Sequence, residues 1–137
     1  MLKNITFNMI KVITFAVSVC ITSVFAGETP QISQQAFIAA FKEPSNNIVL
    51  LDVRSAEEYN EGHIDGAINI SHNAIKENLS MLTKYKNSTV VVYCRSGRRA
   101  AAAEEILSAN GFSKLQHLTG DMNGWLEAKL PVVSQQP

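Results

Sequence analysis

The sequence predicts an α/β fold, in which a mostly parallel central sheet is flanked by helices on both faces. Two observations predict this fold class. The segments IVLLDV (48–53) and TVVVYC (89–94) are continuous apolar runs rich in β-branched residues, which is typical of strands buried on both faces of a parallel sheet. Helical patterns lie between and around these runs, and strands that alternate with helices form layered α/β domains.

Two amphipathic helices are predicted in the first half of the chain. Residues 33–43 begin with Ser33, a good N-cap residue, and place their large apolar side chains on one face. Residues 55–62 carry Ser55 and Glu58 at the spacing of a capping box, in which two otherwise unpaired N–H groups bond to side chains. Both helices therefore have N-terminal boundaries that the sequence alone indicates.

The second half of the chain repeats the alternation. Residues 73–85 have apolar side chains at helical spacing and predict one helix. Residues 99–111 are strong helix formers and end at Gly111, a residue that commonly terminates helices. Shorter strands are predicted at 67–70 and 115–118. In such sheets ligands bind beyond the carboxyl ends of the strands.

The N-terminal residues 1–26 predict a cleaved secretory signal peptide. Lys3 and Lys11 precede and flank an uncharged apolar run, and the small residues of VFAGE follow it. Cleavage is expected after Ala26, which gives a single domain at 27–137 without stable membrane contact and a periplasmic location. An uncleaved membrane anchor is the alternative interpretation of the same segment.

The predicted mature chain excludes some function classes. Its 111 residues suffice for one small domain but not for two. Ten basic residues face twelve acidic ones, so nucleic acid is not an expected partner. Cys94 is the one cysteine that remains, so an internal disulfide is impossible. A lone thiol in an exported domain is a buried inert group, an intermolecular partner or a working thiol.

The segment after Cys94 predicts an anion-binding loop. Three of the four arginines of the chain follow this cysteine within five residues, as Arg95, Arg98 and Arg99. Gly97 allows a backbone twist, so successive N–H groups can turn inward at the start of the next helix. A thiol among such donors ionises more readily, and guanidinium groups suit a tetrahedral oxyanion. The competing interpretation is a buried, inert cysteine beside solvated arginines.

Three segments in order carry a family resemblance. They are LLDVRSAEEYNEGHIDGAINIS (50–71), YCRSGRRA (93–100) and LTGDMNGW (118–125), and together they resemble a single-domain rhodanese, a thiosulfate sulfurtransferase-type module. The middle segment matches the family loop C-x-x-G-x-R at Cys94, Gly97 and Arg99. Asp121 and Lys129 depart from the family pattern at positions where glycine is usual, and neither is expected to touch the nucleophile.

The resemblance implies a specific chemistry. Cys94 would attack the outer sulfur of thiosulfate, release sulfite and keep a persulfide, which an acceptor such as cyanide or a thiol would then discharge. The substrate-binding loop would comprise Arg95, Ser96, Gly97, Arg98 and Arg99. The implied partners are a small anionic sulfur donor and a thiophilic acceptor, with a protein acceptor also compatible. A module of the same fold that binds a persulfide, an anion or a protein without turnover is the alternative.

The length of the loop separates this interpretation from a related one. Similar folds that act as phosphatases or arsenate reductases resemble C-x5-R, with arginine six positions after cysteine. Here that position is Ala100, and Arg99 lies five positions after Cys94. A shorter loop makes a smaller cradle, which suits a sulfur atom better than phosphate.

Four further residues are expected to support the loop. Asp52 and Arg54 follow a buried strand and are expected to pair, because buried charges are usually paired. His63 is expected to bond to Glu58 or its neighbours, and Trp125 to fill the core under the loop. The remaining histidines have no partners at metal-ligand spacing, so neither a metal nor a cofactor is expected.

Overall fold

The structure is a computed structural model that describes residues 27–135. The predicted signal peptide, 1–26, lies outside the described residues. Among residues 27–135, one five-stranded sheet forms the centre, in the order β1-β5-β4-β2-β3, and every pair of neighbouring strands is parallel. This confirms the predicted fold class. The strands are β1 (Gln31–Ile32), β2 (Ile48–Asp52), β3 (Ile68–Asn69), β4 (Thr89–Tyr93) and β5 (Leu115–Leu118).

Five α-helices accompany the sheet within the described part of the chain. They are α1 (Gln34–Phe41), α2 (Ala56–Glu61), α3 (Leu79–Leu82), α4 (Arg98–Ala109) and α5 (Asp121–Glu127). The predicted caps are present: Ser33 Oγ accepts from the Ala36 N–H, and Ser55 and Glu58 form the capping box of α2. Within residues 27–135, no helix is long and apolar enough to cross a membrane.

Two apolar layers lie on opposite faces of the sheet. Side chains alternate along a strand, so successive residues of β4 enter different layers. Val90 and Val92 pack with Leu107 of α4 on one face, whereas Val91 and Tyr93 pack with Phe37, Trp125 and their neighbours on the other. Because β4 is buried on both faces, its carboxyl end is held rigidly where the next loop begins.

The single helix predicted at 73–85 is wrong. The segment instead forms three short 3₁₀ turns around the single α-helical turn of α3. Asn78 Nδ2 donates to the Ala74 carbonyl, and Thr83 Oγ1 donates to the Leu79 carbonyl. These polar side chains bond to carbonyls of the preceding turn and so compete with a regular backbone ladder.

Candidate active site

Cys94 lies directly after β4, at the carboxyl edge of the sheet. The chain then turns through Gly97, whose φ of 107° is favourable only for glycine, and α4 begins at Arg98. The Gly97 N–H donates to Cys94 Sγ over 3.0 Å. The predicted loop is therefore formed, and it brings a backbone donor to the thiol sulfur.

A cavity of about 520 Å³ opens above this thiol. Its walls combine the nucleophile with cationic and polar groups: His72, Cys94, Ser96, Arg98, Arg99 and Ala102. A larger cavity of about 850 Å³ lies beside the other side of α4, but Cys94 does not line it. The smaller cavity is therefore the candidate active site, because a thiol, a hydroxyl and two guanidinium groups meet there.

Arg99 is tied to α2 by a bidentate ion pair. Its Nη1 and Nη2 atoms lie 2.6 and 2.9 Å from the two carboxylate oxygens of Glu58. This hydrogen bonding lowers the pKa of Glu58 to about 2, against the opposing effect of partial burial. The pair fixes the guanidinium plane at the cavity wall and joins the start of α4 to α2.

Arg95 lies apart from the other loop arginines. Its residue is exposed and is not in the lining of the cavity. Its backbone carbonyl accepts a hydrogen bond from the Asn123 N–H over 3.0 Å. The structure thus brings Ser96, Arg98 and Arg99 to Cys94, whereas a substrate-binding role for the Arg95 side chain stays a prediction.

Asp52 and Arg54 form a buried cluster at the end of β2. The carboxylate of Asp52 accepts from the Arg54 backbone N–H and from its guanidinium, the shortest contact being 2.6 Å to Nη2. The Tyr93 hydroxyl donates to the same carboxylate over 2.7 Å. Arg54 also donates to the Gly62 carbonyl over 2.8 Å. The cluster fastens the segment after α2 to the strand that precedes Cys94.

His63 and Trp125 lie outside the cavity lining. The His63 ring stacks on Tyr59, and its Nδ1 lies 2.8 Å from the Tyr59 carbonyl oxygen, next to the expected partner Glu58. Trp125 is 3% exposed, packs edge-on against Phe37 and donates to the Pro131 carbonyl. Both residues therefore hold surrounding segments in place.

One expectation about the family departures is wrong. Asp121 touches the nucleophile residue, because its Oδ1 accepts the Cys94 backbone N–H over 2.9 Å. It is 3% exposed. Its φ is 53°, in the left-handed region where the family pattern places glycine. The spacing of motifs could not indicate this contact, which depends on how closely two distant turns approach.

Three polar side chains lie around the loop although the sequence did not predict that they would support it. His72 lines the cavity, and its Nδ1 is buried without a hydrogen-bond partner. Behind the loop, His117 lies between Glu104 and Asp121, 2.6 and 2.9 Å from their carboxylate oxygens. Glu104 could have been noticed, because it falls on the buried stripe that Ala100, Ala103 and Leu107 form along α4.

Comparison with known proteins assigns the family. The rhodanese-like domain matches residues 33–128. The chain belongs to the rhodanese-like domain family. Among solved structures, the chain is similar to a rhodanese-related protein from Thermoplasma volcanium, with a TM-score of 0.67 and 29% identity. That likeness covers 78% of this chain and 99% of the other.

Several curated relatives are similar to the chain over part of their length. Thiosulfate sulfurtransferase PspE of Escherichia coli K12 is 41% identical over 70 residues, which are 51% of this chain and 67% of PspE. A tRNA uridine(34) hydroxylase of Buchnera aphidicola is 36% identical, covering 56% of this chain and 26% of its own length. The putative sulfur carrier protein YrkF of Bacillus subtilis is 30% identical over 73% of this chain and 52% of YrkF.

These relationships support sulfur transfer, between sulfur donors and acceptors in general, as the chemistry of this family member. The chain spans about a quarter of the length of the hydroxylase and about half of the length of the carrier protein. Similarity over part of their length therefore does not assign the activities of those whole proteins to this chain.

Proposed function

We propose that this protein is a sulfurtransferase that moves the outer sulfur of thiosulfate, or of a similar donor, to a thiophilic acceptor. The observation that carries the proposal is the placement of Cys94 Sγ, 3.0 Å from the Gly97 N–H, in a cavity lined by Arg98 and Arg99. A thiolate nucleophile and cationic groups for a dianion are the two requirements of this reaction.

The reaction has two balanced steps. The Cys94 thiolate attacks the outer sulfur of thiosulfate, the sulfur–sulfur bond of the donor breaks, and sulfite leaves with the electron pair. Cys94 then carries a persulfide anion. A nucleophile such as cyanide attacks the outer persulfide sulfur, thiocyanate departs, and the thiolate is restored. The loop N–H groups and the guanidinium groups attract the donor and stabilise the negative charge on sulfur.

The proposal is tested by steady-state formation of thiocyanate from thiosulfate and cyanide. We expect double-displacement kinetics for the wild-type protein and no turnover above background for Cys94→Ala. Circular dichroism and thermal unfolding of the variant serve as the control for folding. Turnover that survives in a folded Cys94→Ala protein would mean that another group performs the transfer.

A sulfur carrier is the second candidate, and the pairing of Arg99 with Glu58 favours it. Because the Arg99 guanidinium is already neutralised by the Glu58 carboxylate, the cavity attracts a dianionic donor less strongly than it would if both of its arginines were unpaired. A carrier would receive sulfur from a protein or low-molecular-weight persulfide. Rapid loading of Cys94 by such a persulfide, without measurable turnover of thiosulfate, would favour the carrier.

We further propose that the protein is exported to the periplasm and acts as the domain 27–137. The basic start, the apolar run and the small residues before Gly27 support cleavage after Ala26. N-terminal sequencing of the protein from a periplasmic extract is expected to begin at Gly27. A protein that retains Met1 and remains in the cytosolic fraction would contradict export.

A further inference from the structure

The backbone of Cys94 is held on both sides by the turn that begins α5. Asp121 Oδ1 accepts the Cys94 N–H over 2.9 Å, and the N–H of the next residue, Met122, donates to the Cys94 carbonyl over 3.0 Å. The N–H of Asn123 continues this pattern with a bond of 3.0 Å to the Arg95 carbonyl. Three successive residues therefore fix the first two residues of the nucleophile loop.

The carboxylate that holds Cys94 is itself held by a buried side-chain relay. Asp121 Oδ2 lies 2.9 Å from His117 Nε2, and His117 Nδ1 lies 2.6 Å from Glu104 Oε1. Asp121 is 3% exposed, His117 is 8% exposed and Glu104 is 5% exposed. Hydrogen bonds to Asp121 and then to Glu104 raise the pKa of His117 to about 10, against the effect of burial. At neutral pH an imidazolium therefore bridges the two acidic side chains.

The relay packs directly under the loop. A Cβ atom at Gly97 would lie 3.1 Å from Asp121 Oδ2 and 3.5 Å from His117 Nε2. Gly97 is the residue whose N–H contacts Cys94 Sγ. Asp121 also adopts a φ of 53°, a left-handed backbone conformation that carries a steric cost for a residue with a Cβ atom. The hydrogen bonds of its carboxylate to Cys94 and His117 offset that cost.

We propose that Asp121 is a positioning residue for Cys94, and that His117 and Glu104 hold its carboxylate against the Cys94 N–H. This inference rests on the proposed sulfurtransferase function. The hydrogen bond to Asp121 also reduces the number of N–H groups that can bind an anion, because the Cys94 N–H already has an acceptor. The incoming donor and the persulfide are therefore bound by N–H groups that follow Cys94 in the loop. The relay thereby fixes the direction in which Sγ faces the cavity.

Two substitutions at Asp121 separate hydrogen bonding from charge. Asp121→Asn keeps an oxygen that can accept the Cys94 N–H, and asparagine tolerates a positive φ. Its amide NH₂ group can donate to Nε2 of a neutral His117, whose Nδ1–H still donates to Glu104. Asp121→Gly relieves the backbone conformation but removes the acceptor. The two variants are therefore a matched pair in which only one can still hold Cys94.

The test combines amide exchange of Cys94 with single-turnover release of sulfite. We expect Asp121→Gly to lose protection of the Cys94 amide against hydrogen–deuterium exchange and to release sulfite about tenfold more slowly, because the nucleophile is misplaced. Asp121→Asn is expected to keep the protection and to recover most of the rate. The KM for thiosulfate should change less than the rate constant in both variants.

Three results would overturn the positioning role. The Cys94 amide could stay protected from exchange in Asp121→Gly, that variant could release sulfite at the wild-type rate, or both variants could lose the same fraction of that rate. Failure of the proposed function has a different signature. If wild-type protein releases no sulfite, the sulfurtransferase assignment fails, whereas the amide comparison still decides whether Asp121 holds Cys94.

Discussion

Arg98 and Arg99 line the same cavity but differ in how their charges are used. Arg99 is bound by Glu58, so its guanidinium has a fixed orientation and a paired charge. Arg98 is exposed at the cavity wall, and no ion pair involves it within residues 27–135. We therefore expect the unpaired charge of Arg98 to attract an incoming dianion, and we expect Arg99 to keep the cavity wall in place.

Replacing Arg98 is expected to weaken capture of thiosulfate. Arg98→Ala should raise KM about threefold at low ionic strength and flatten its salt dependence, with a smaller change in kcat. Arg95→Ala is the matched comparison, because this exposed arginine lies in the same loop but outside the cavity lining. The measurement is steady-state kinetics at low and high salt. Equal KM values for Arg98→Ala and wild type at low salt would contradict a capture role.

The residues around Cys94 show what a sequence can and cannot predict. The loop, its glycine and its arginines were predictable because they are contiguous in the chain. The departures from glycine at Asp121 and Lys129 were visible too, and both residues adopt positive φ, at 53° and 55°. The contact of Asp121 with the Cys94 N–H was not predictable, because it requires residues 27 positions apart to meet within hydrogen-bond distance.

Helices α2 and α4 are joined at their N-terminal turns by the pair of Glu58 and Arg99. Glu58 also accepts the Ser55 backbone N–H, so one carboxylate completes the capping box and binds the arginine. Its pKa is lowered to about 2 from an ordinary value of 4.5. A carboxyl group whose pKa is lowered by folding stabilises the protein at pH values above its ordinary pKa. That stabilisation is lost as the pH falls towards 2.

Glu58→Gln tests this link between the helices. The amide oxygen can still accept the Ser55 N–H, so the substitution removes mainly the ion pair. We expect the free energy of unfolding to fall by about 1 kcal/mol at pH 7. The difference from wild type should shrink below pH 4.5 and vanish near pH 2. Chemical denaturation across this range is the measurement, with the exposed Glu57→Gln as control. A difference that does not vary with pH would contradict the ion pair.

Elements were predictable where local signals and packing agree. Helix α4 has strong helix formers, and α1 and α2 have caps, so their existence followed from the sequence. The segment 73–85 kept its apolar spacing, yet Asn78 and Thr83 bond to backbone carbonyls and break the helix. Strand β1 was missed because it has two residues and exists through its pairing with β5.

At the scale of the whole molecule, the parallel sheet assembles the site from distant segments. The carboxyl ends of β2 and β4 lie side by side, with Asp52 in register with Tyr93. The turn after β5 adds Asp121 from the other side of β4. The alternation of strands and helices predicts this edge as the site. Which side chains bond there depends on tertiary packing, which the pattern does not encode.

Transfer of sulfur from thiosulfate to Cys94 is the step on which the proposed function depends, and mass spectrometry of the protein after this first half-reaction detects its product. We predict that folded wild-type protein, treated with thiosulfate without reducing agent, gains the mass of one sulfur atom on the peptide that contains Cys94 and releases one equivalent of sulfite. Cyanide should then remove the added mass. If the protein is folded and the Cys94 thiol is reduced, but no sulfur is added to it, then Cys94 does not accept sulfur from thiosulfate.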